Sequence, residues 1–304
     1  MEAEATAVAA PRRRKALPLL LLEGMRPRQW AKNAFVLAGV VFSGQSTHAA
    51  ADLRALGAFA AFCLASGATY LFNDARDAEI DRHNPRTAGR PIARGDLSPT
   101  TATAVAAVAA LASAGLALAI NWQTLAVLGG YLLLQIAYSI WLKHILFVDV
   151  MAISAGFVLR ALAGLVAISA VISPWLLLCT GLLALFIGLG KRRGEVISIG
   201  GGAQPQRPVL EGYSLGLVDE LIAVVTPATL VTYSLYAVLG ARTDWMLLTV
   251  PFVLYGIFRL LYLMHHRATF TEDPSLAVLK DYPLLICVLL WAATALVISA
   301  LTPA

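Results

Sequence analysis

The chain has 304 residues, of which 59% are hydrophobic and only 13% are charged, and its formal net charge is +5. A soluble domain of this length needs far more charge to cover its surface. The composition therefore excludes a soluble enzyme, predicts a polytopic membrane protein and gives no sign of a nucleic-acid partner. The three cysteines, Cys63, Cys179 and Cys287, lie far apart in apolar segments, a spacing that fits neither a zinc site nor a disulfide framework.

The first 25 residues combine a basic run, "PRRRK", with a short apolar run, "LPLLLL". A signal peptide begins in a similar way, but this apolar run is brief and no small-residue cleavage site follows it. We therefore expect residues 1–25 to form a retained basic cytoplasmic arm with an interfacial segment. Residues 26–304 are expected to form a single transmembrane domain.

Nine apolar segments follow the arm, each near the length of about 20 residues that crosses the hydrocarbon of a bilayer. The sequence therefore predicts an all-α integral membrane protein with nine transmembrane helices. The first of them is the least apolar, because Gly39, Ser43 and Gly44 dilute it. The predicted spans are 30–47, 54–73, 101–120, 122–141, 145–168, 174–190, 217–240, 244–264 and 282–302.

Lysine and arginine are distributed unevenly between the two sides of this arrangement. The N-terminal arm and the connections after helices 2, 4, 6 and 8 carry nineteen of them, whereas the opposite connections carry only Arg54 and Arg242. Because cytoplasmic segments hold the excess of basic residues, we expect a cytoplasmic N-terminus and an external C-terminus. The cytoplasmic connections are also the longer ones, so the active site is expected to face the cytoplasm from the cell (inner or plasma) membrane.

Acidic residues cluster at the cytoplasmic end of the second predicted helix, in the stretch "NDARDAEIDRHNP". On a helical wheel with 100° per residue, Asn73, Asp74, Asp77 and Asp81 share one arc, and Glu79 falls on the far side. Three converging carboxylates repel one another unless a cation joins them. Mg²⁺ takes one or two carboxylates together with substrate phosphate oxygens. Asp74, Asp77 and Asp81 are therefore candidate metal ligands.

An arginine-rich segment follows these carboxylates directly. Arg82, Arg86, Arg90 and Arg94 stand among prolines and glycines, a composition typical of a loop. A guanidinium can grip two phosphate oxygens at once, so a carboxylate face followed by this loop suits a metal-bound diphosphate. In the alternative interpretation, the acids belong to a solvated helix end and pair with Arg76, Arg82 and Arg86.

These features resemble the UbiA superfamily of intramembrane prenyltransferases. The resemblance is carried by N-D-x-x-D-x-x-x-D on the second of nine helices, followed by "RPIARG". The blocks "RPRQWAKN", "YSIWLKH", "LRALAG" and "GKRRGE" are similar to those of the phosphoribosyl branch of the superfamily, and the resemblance runs over most of the chain. It implies a helical bundle in which Asp74, Asp77 and Asp81 bind Mg²⁺ and the diphosphate of an activated donor, as the catalytic residues.

The phosphoribosyl branch implies a definite reaction. It is the transfer of 5-phosphoribose from 5-phosphoribosyl 1-diphosphate to a polyprenyl (decaprenyl) phosphate, with release of diphosphate, for the synthesis of cell-wall arabinan precursors. The implied partners are the lipid phosphate, the ribosyl donor and the membrane, and the sequence is compatible with a homo-oligomer.

The chain departs from the prenyltransferase pattern at the end of the sixth predicted helix. Prenyltransferases of the superfamily carry a second D-x-x-x-D there, but this chain has "GKRRGEVISIGGG", in which Glu195 is the single acid. Lys191 and Arg192, with Glu195, are therefore candidate ligands for a donor that carries an additional phosphate. A simple helix-end salt bridge between Lys191 and Glu195, four residues apart, is the alternative.

The remaining candidate ligands have competing interpretations. Arg26 and Lys32 fit either donor binding or interfacial anchoring. Tyr138 and Lys143 flank the short inside turn after the fourth helix, where "YSIWLKH" is similar to the family block, and the resemblance implies a role in phosphate binding. Arg160 lies deep in the fifth helix, where a charge requires a partner, so it is either a phosphate ligand or part of a structural ion pair. The candidate substrate ligands are Asn73, Arg26, Lys32, Arg86, Arg90, Tyr138, Lys143, Arg160, Lys191, Arg192 and Glu195.

Two other functions stay open at this point. A UbiA-type prenyltransferase would move a prenyl group from a prenyl diphosphate to an aromatic or other small acceptor. A transporter would use charges near the middle of the bilayer as an ion path. The charges of this chain lie instead at one face, with Arg160 as the main exception.

Overall fold

The computed structural model describes residues 15–39, 49–84, 87–200, 208–241, 243–266 and 280–301, and all regular secondary structure in these ranges is helical. The helices are α1 (Leu17–Met25), α2 (Ala49–Arg76), α3 (Ala78–His83), α4 (Pro99–Ile120), α5 (Trp122–Ile140), α6 (Val148–Ala167), α7 (Pro174–Gly200), α8 (Leu215–Leu235), α9 (Val250–His266) and α10 (Tyr282–Leu301). Shorter elements are the 3-10 helices Pro27–Leu37, Leu142–His144, Pro208–Gly212 and Asp244–Thr249 and the π-helical turn Tyr236–Gly240.

Eight helical stretches of the described chain are long and apolar enough to cross a membrane. They are α2, α4, α5, α6, α7, α8 with its π-helical turn, α9 with the 3-10 turn before it, and α10. They correspond in order to the last eight predicted spans, and the prediction of a multi-pass helical membrane protein is confirmed. The first predicted span, 30–47, overlaps the 3-10 helix Pro27–Leu37, and its residues 40–47 lie outside the described ranges. The count of nine helices and the orientation stay predictions.

Local sequence signals set where α4 and α5 begin. Ser98 accepts a hydrogen bond from the backbone N–H of Thr101, and Pro99 occupies the first position of α4, where its missing N–H costs nothing. Asn121 ends α4 and also caps α5, since its Oδ1 accepts from the backbone N–H of Thr124 at 2.7 Å. Two membrane helices are thus joined at a single residue.

Close backbone approaches attach the N-terminal elements to the bundle. A Cβ on Gly164 of α6 would lie 1.8 Å from the carbonyl oxygen of Val36, so the 3-10 helix Pro27–Leu37 packs directly on the α6 backbone. A Cβ on Gly67 of α2 would lie 2.6 Å from the side chain of Met25, at the end of α1. Glycine is required at position 164 because any side chain there would collide with the backbone of Val36, whereas at Gly67 the nearest atom is the movable terminal methyl group of Met25.

The helices pack around two main cores. In the first half of the chain, α2 packs chiefly on α4, and Phe62 and Tyr131 are fully buried between α2 and α5. In the second half, α7, α8 and α9 surround Phe186, Leu189 and Ile257. Helix α6 links the halves because it packs on both α5 and α7. Many of the polar residues described below lie at the ends of α2, α5 and α7.

Candidate active site

The break between α2 and α3 keeps the polar residues in helical register. Asp77 separates the two helices, with φ −93° and ψ 12°. Its backbone N–H still donates to the carbonyl of Asn73 at 2.9 Å, and the N–H of Asp81 donates to the carbonyl of Asp77 at 2.9 Å. These four-residue bonds place Asn73, Asp77 and Asp81 on successive turns.

Two arginines converge on the buried carboxylates of Asp74 and Asp81. Arg26 Nη2 donates to Asp74 Oδ1 at 2.5 Å, and Arg90 Nη1 donates to the same oxygen at 3.1 Å. The same Nη1 of Arg90 also donates to Asp81 Oδ2 at 2.6 Å. The guanidinium carbon of Arg26 lies 4.8 Å from the ring centroid of Tyr70, a cation–π contact that holds this side chain over the end of α2.

This arrangement has a donor set that suits Mg²⁺. No three His, Cys, Asp or Glu side chains of the described residues lie close enough together to hold a metal ion. Asp74 and Asp81 nevertheless direct one oxygen each at a single point, which Arg90 Nη1 occupies. Two converging carboxylates fit Mg²⁺, because it takes one or two of them and completes its shell with phosphate oxygens and water. Asp74 and Asp81 are therefore the residues that fit such an ion.

Asp77 is directed to the rim of this cluster. Its two carboxylate oxygens lie 3.8 Å from Arg76 Nε and 3.9 Å from Lys143 Nζ, and its side chain is 30% exposed. Asn73, one turn earlier, accepts a hydrogen bond from the hydroxyl of Ser139 on α5 at 2.6 Å. The polar end of α2 is thus joined to the end of α5.

Glu79 has surroundings quite different from those of the other acids. It is 78% exposed and pairs with Arg82 at 2.6 Å. Asp74 and Asp81 are only 4% and 6% exposed. The helical wheel had placed Glu79 opposite these residues, and the exposures agree with that division.

The segment 87–97, which carries Arg90, is fastened to neighbouring elements. Arg94 Nη1 donates to Glu23 of α1 at 2.8 Å and to the carbonyl of Gly89 at 2.7 Å. Arg82 of α3 donates to the carbonyl of Ala93 at 3.2 Å. The hydrogen bond from Arg94 lowers the pKa of Glu23 from 4.5 to about 2, so this carboxylate stays ionised far below neutral pH.

A second charged cluster lies at the polar end of α7. Arg192 donates through Nε to Asp149 of α6 at 2.7 Å and through Nη1 to Glu195. Arg192 and Asp149 are 1% and 0% exposed. Glu195 also lies 3.8 Å from Lys191 Nζ. The helix-end salt bridge considered as an alternative is therefore present, and Arg192 adds a buried partner to it.

Arg192 retains unused hydrogen-bonding capacity. Among the described residues, its Nη2 has no hydrogen-bond partner. Tyr138 of α5 lies close enough to Arg192 to interact with its charge. The predicted ligands Lys191, Arg192, Glu195 and Tyr138 thus form one group, and Lys143 follows Tyr138 on the turn that reaches Asp77.

Tyr213 fastens this group from the opposite side. Its hydroxyl donates to Asp149 Oδ1 at 2.7 Å and accepts from the backbone N–H of Phe147 at 3.1 Å. Burial and the neighbouring carboxylate of Asp149 raise the pKa of Tyr213, so its proton is retained. Phe147 has a positive φ of 65°, which a bulky residue adopts only where the surroundings impose it.

Arg160 lies in neither cluster. Its guanidinium donates to Asn33 Oδ1 at 2.8 Å, to the carbonyl of Gly156 at 3.0 Å and to the hydroxyl of Tyr131 at 2.8 Å. It also lies 4.8 Å from the ring centroid of Tyr131 and 5.0 Å from that of Phe157. None of these partners is a carboxylate, so Arg160 is held by neutral acceptors and ring faces rather than by an ion pair.

The predicted ligands therefore fall into separate places. Arg26, Arg90 and Asn73 lie with the aspartates, and Lys143 reaches Asp77 from the α5 turn. Lys32 lies on the 3-10 helix Pro27–Leu37 and is partly exposed. Arg86 lies outside the described residues. The ligand roles of all these residues stay predictions.

Several residues of the two clusters were not anticipated. They are Asp149, Ser139 and Tyr213, and neither Ser139 nor Tyr213 has a charge pattern or motif that marks it in the sequence. For Asp149 a signal exists: a carboxylate in an apolar span requires a cation, and Arg192 lies at the end of a neighbouring span. Nothing in the spacing of Tyr213 indicated its bond to Asp149, because 64 residues separate the two.

Comparisons with known proteins agree with this architecture. A model of the UbiA prenyltransferase family matches residues 33–279. The chain is 34% identical over 294 residues to the decaprenyl-phosphate phosphoribosyltransferase of Mycolicibacterium smegmatis, with 90% of each chain covered. It is 31% identical over 281 residues to the protein of the same name from Mycobacterium tuberculosis, covering 90% of this chain and 92% of that one.

A solved structure has the same fold. It is a UbiA homolog from Archaeoglobus fulgidus bound to GPP and Mg²⁺, with a TM-score of 0.72, and the match covers 93% of this chain and 100% of that one. Its sequence is only 17% identical, so this likeness concerns the fold alone. The resemblance inferred from the sequence is confirmed by the family match and by the curated relatives. The chain therefore belongs to the UbiA prenyltransferase family.

Proposed function

We propose that the protein transfers 5-phosphoribose from 5-phosphoribosyl 1-diphosphate to a polyprenyl phosphate such as decaprenyl phosphate, with release of diphosphate. The observation that carries the proposal is the identity of 31–34% over 90% of this chain with relatives named decaprenyl-phosphate phosphoribosyltransferase. The distribution of charge supports it. One carboxylate cluster lies beside Arg26 and Arg90, and a separate basic group lies at the end of α7.

Two cationic sites suit this donor because it carries two separate anionic groups, a diphosphate at C1 and a phosphate at C5. Arg26 and Arg90 are partly exposed at the carboxylate cluster and can grip diphosphate oxygens. Lys191 is 38% exposed and is the accessible cation of the α7 group. We assign the C1 diphosphate to the first site and the C5 phosphate to the second. A prenyl diphosphate has a single charged end and needs no second cationic site.

In the proposed reaction the lipid phosphate is the nucleophile. One of its anionic oxygens forms the bond to C1 of the ribose as the bond from C1 to the diphosphate breaks, and the diphosphate leaves with the bonding electrons. The ring oxygen stabilises the positive charge that develops at C1. Because the attacking oxygen is already ionised near pH 7, we assign no residue as a general base.

The chain's own residues hold the leaving group. Asp74 and Asp81, with Asp77 at the rim, would hold Mg²⁺, which when bound neutralises charge on the diphosphate. Arg26 and Arg90 bind phosphate oxygens and hold the diphosphate against the end of α2. Asn73, fixed by Ser139, orients the polar end of that helix.

The remaining parts of the proposal concern location. The apolar helix faces accept the isoprenoid chain. The charged helix ends face the cytoplasmic side of a plasma membrane, as the distribution of lysine and arginine predicts. We further propose that the product serves as a precursor of cell-wall arabinan, as the resemblance to the phosphoribosyl branch implies.

One assay tests the proposal directly. Purified protein is incubated with Mg²⁺, radiolabelled 5-phosphoribosyl 1-diphosphate and decaprenyl phosphate, and the lipid phase is counted for a ribosyl product. We expect a labelled lipid to form with wild type and not with Asp81→Asn. The alternative prenyltransferase activity would instead require transfer from a prenyl diphosphate to an aromatic acid, with 5-phosphoribosyl 1-diphosphate left unused. That second outcome would overturn the assignment.

A further inference from the structure

Arg90 occupies the position between Asp74 and Asp81 at which a metal ion would be shared. Its Nη1 lies 3.1 Å from Asp74 Oδ1 and 2.6 Å from Asp81 Oδ2. Arg26 Nη2 lies 2.5 Å from the same oxygen of Asp74. Two guanidinium groups and two carboxylates thus form a cluster whose formal charges cancel.

A divalent cation cannot simply be added to this cluster. A carboxylate oxygen has two lone pairs, and on Asp74 Oδ1 both are already directed to N–H donors, one from each arginine. Mg²⁺ binds oxygens at about 2.0–2.1 Å and accepts little distortion of its shell. A metal ion held by the two converging oxygens, Asp74 Oδ1 and Asp81 Oδ2, must therefore displace Arg90 Nη1 from the space between them.

The arginines are the parts able to move. The side chains of Asp74 and Asp81 are 4% and 9% exposed and are fixed on helices, whereas those of Arg26 and Arg90 are 28% and 31% exposed. The segment that carries Arg90 is itself fastened, through Arg94, to Glu23 of α1. Displacement therefore requires only the Arg90 side chain to rotate outward, towards the solvent side of the cluster.

A displaced guanidinium needs a new anionic partner, and the diphosphate of the donor is one. We propose that Arg90 makes metal binding depend on the donor: it competes with the metal for Asp74 and Asp81 until a diphosphate accepts the guanidinium. The proposal rests on the proposed function, since it takes Asp74 and Asp81 as metal ligands. Because of Arg90, the protein then binds the metal more tightly when a diphosphate is present than when the metal is alone. By linkage, the metal raises the affinity for diphosphate by the same factor.

The test measures metal affinity rather than turnover. Purified protein in detergent is titrated with Mn²⁺, a paramagnetic substitute for Mg²⁺, and bound Mn²⁺ is followed by electron paramagnetic resonance. Each titration is run without and with inorganic diphosphate, at matched concentrations of free Mn²⁺. The variants are Arg90→Gln and, as a matched control, Arg259→Gln, which removes an arginine that pairs with Asp281 rather than with Asp74 or Asp81.

Without diphosphate, we expect Arg90→Gln to bind Mn²⁺ about tenfold more tightly than wild type, within the usual range of coupling between sites. Diphosphate should raise the Mn²⁺ affinity of wild type and of Arg259→Gln by about tenfold. In Arg90→Gln the increase should be clearly smaller, because the phosphate oxygens still coordinate the metal but no competing guanidinium is left for them to remove. Arg26→Gln, which removes the other guanidinium from Asp74, should also bind Mn²⁺ more tightly and provides a second variant if Arg90→Gln does not fold.

The proposal is overturned if Arg90→Gln and Arg26→Gln bind Mn²⁺ no more tightly than wild type, or if diphosphate raises the Mn²⁺ affinity of Arg90→Gln by as large a factor as that of wild type. Asp81→Asn distinguishes this failure from failure of the proposed function. If that variant binds Mn²⁺ as wild type does, the metal lies elsewhere and the metal ligands of the proposed function are themselves wrong. The probe is inorganic diphosphate, so the measured Mn²⁺ affinities do not depend on whether the natural donor carries a ribosyl group.

Discussion

Arg192 of α7 and Asp149 of α6 form an ion pair of 2.7 Å in which neither side chain reaches solvent. Removing one partner of such a pair leaves an uncompensated buried charge, which typically destabilises a protein by about 3–5 kcal/mol. We therefore expect Arg192→Gln and Asp149→Asn each to lower the free energy of unfolding by that amount, measured by thermal or denaturant unfolding in detergent.

The control for this pair is Glu79→Gln. That change breaks an ion pair whose acid is 78% exposed, so its effect should stay below about 1 kcal/mol. If Arg192→Gln and Glu79→Gln lower the free energy of unfolding equally, burial of the Arg192–Asp149 pair contributes nothing to stability.

The second prediction concerns the carboxylate face. Asp77→Asn and Asp81→Asn each remove an anionic oxygen ligand and should nearly abolish transfer of labelled ribose while the bundle stays folded. Glu79→Gln should retain much more activity, because Glu79 is exposed and pairs with Arg82. Similar losses of turnover in all three variants would contradict the division of the acids into two faces.

The third prediction concerns orientation. In a variant whose three cysteines have been replaced, a cysteine at Thr87, beside Arg90, should react with an impermeant thiol reagent only after the cytoplasmic side is opened. A cysteine at Val171, which is 90% exposed in the connection between α6 and α7, should react from outside in intact cells. Labelling of Thr87→Cys from outside would reverse the orientation.

The fourth prediction concerns the C5 phosphate of the donor. Lys191→Glu converts a charge-assisted contact of roughly 1.5–3 kcal/mol into a repulsion. We expect the apparent KM for 5-phosphoribosyl 1-diphosphate to rise by more than about tenfold, with a smaller rise for Lys191→Gln, and no prenyl transfer to appear. An unchanged KM in the steady-state assay would place the C5 phosphate elsewhere.

The fifth prediction concerns the attachment of α1. The hydrogen bond from Arg94 lowers the pKa of Glu23 to about 2, so the ionised form is favoured in the folded protein. The stabilisation is therefore complete above about pH 4.5 and is lost as the pH falls towards 2. Hydrogen exchange of residues 17–25, corrected for the intrinsic pH dependence, should rise over that window.

Arg94→Gln provides the comparison for this attachment. Exchange of α1 in that variant should already be fast at neutral pH, with little further change on acidification. A pH response that persists in Arg94→Gln would assign the effect to another group.

The sequence predicted the membrane helices well because hydropathy and helix length act locally. The last eight predicted spans each correspond to an observed helix, and Asn73 and Asp74 were correctly placed at the end of the second span. The helical wheel also separated Glu79 from the buried aspartates, since the backbone bond from Asp77 to Asn73 carries the helical register across the break. Local periodicity was sufficient for these features.

Contacts between distant segments could not be predicted in the same way. The loop composition of residues 82–95 indicated phosphate-binding arginines, but not that Arg90 bridges Asp74 and Asp81, which depends on how the chain folds back after α3. The pairing of Asp149 with Arg192 depends on the packing of α6 against α7. Helix packing is a property of the whole bundle, so no pattern within one helix indicates it.

The contact between Gly164 and the carbonyl oxygen of Val36 has a consequence for interpreting variants. It joins α6 to the 3-10 helix that directly follows Arg26, and a single methyl group at position 164 would lie 1.8 Å from that oxygen. The 3-10 helix Pro27–Leu37 must then shift away from the bundle. Because Arg26 directly precedes this helix, the shift would also move the Arg26 guanidinium that pairs with Asp74. A substitution at Gly164 should therefore weaken donor binding from a distance, so a kinetic screen would score a packing residue as if it touched the substrate.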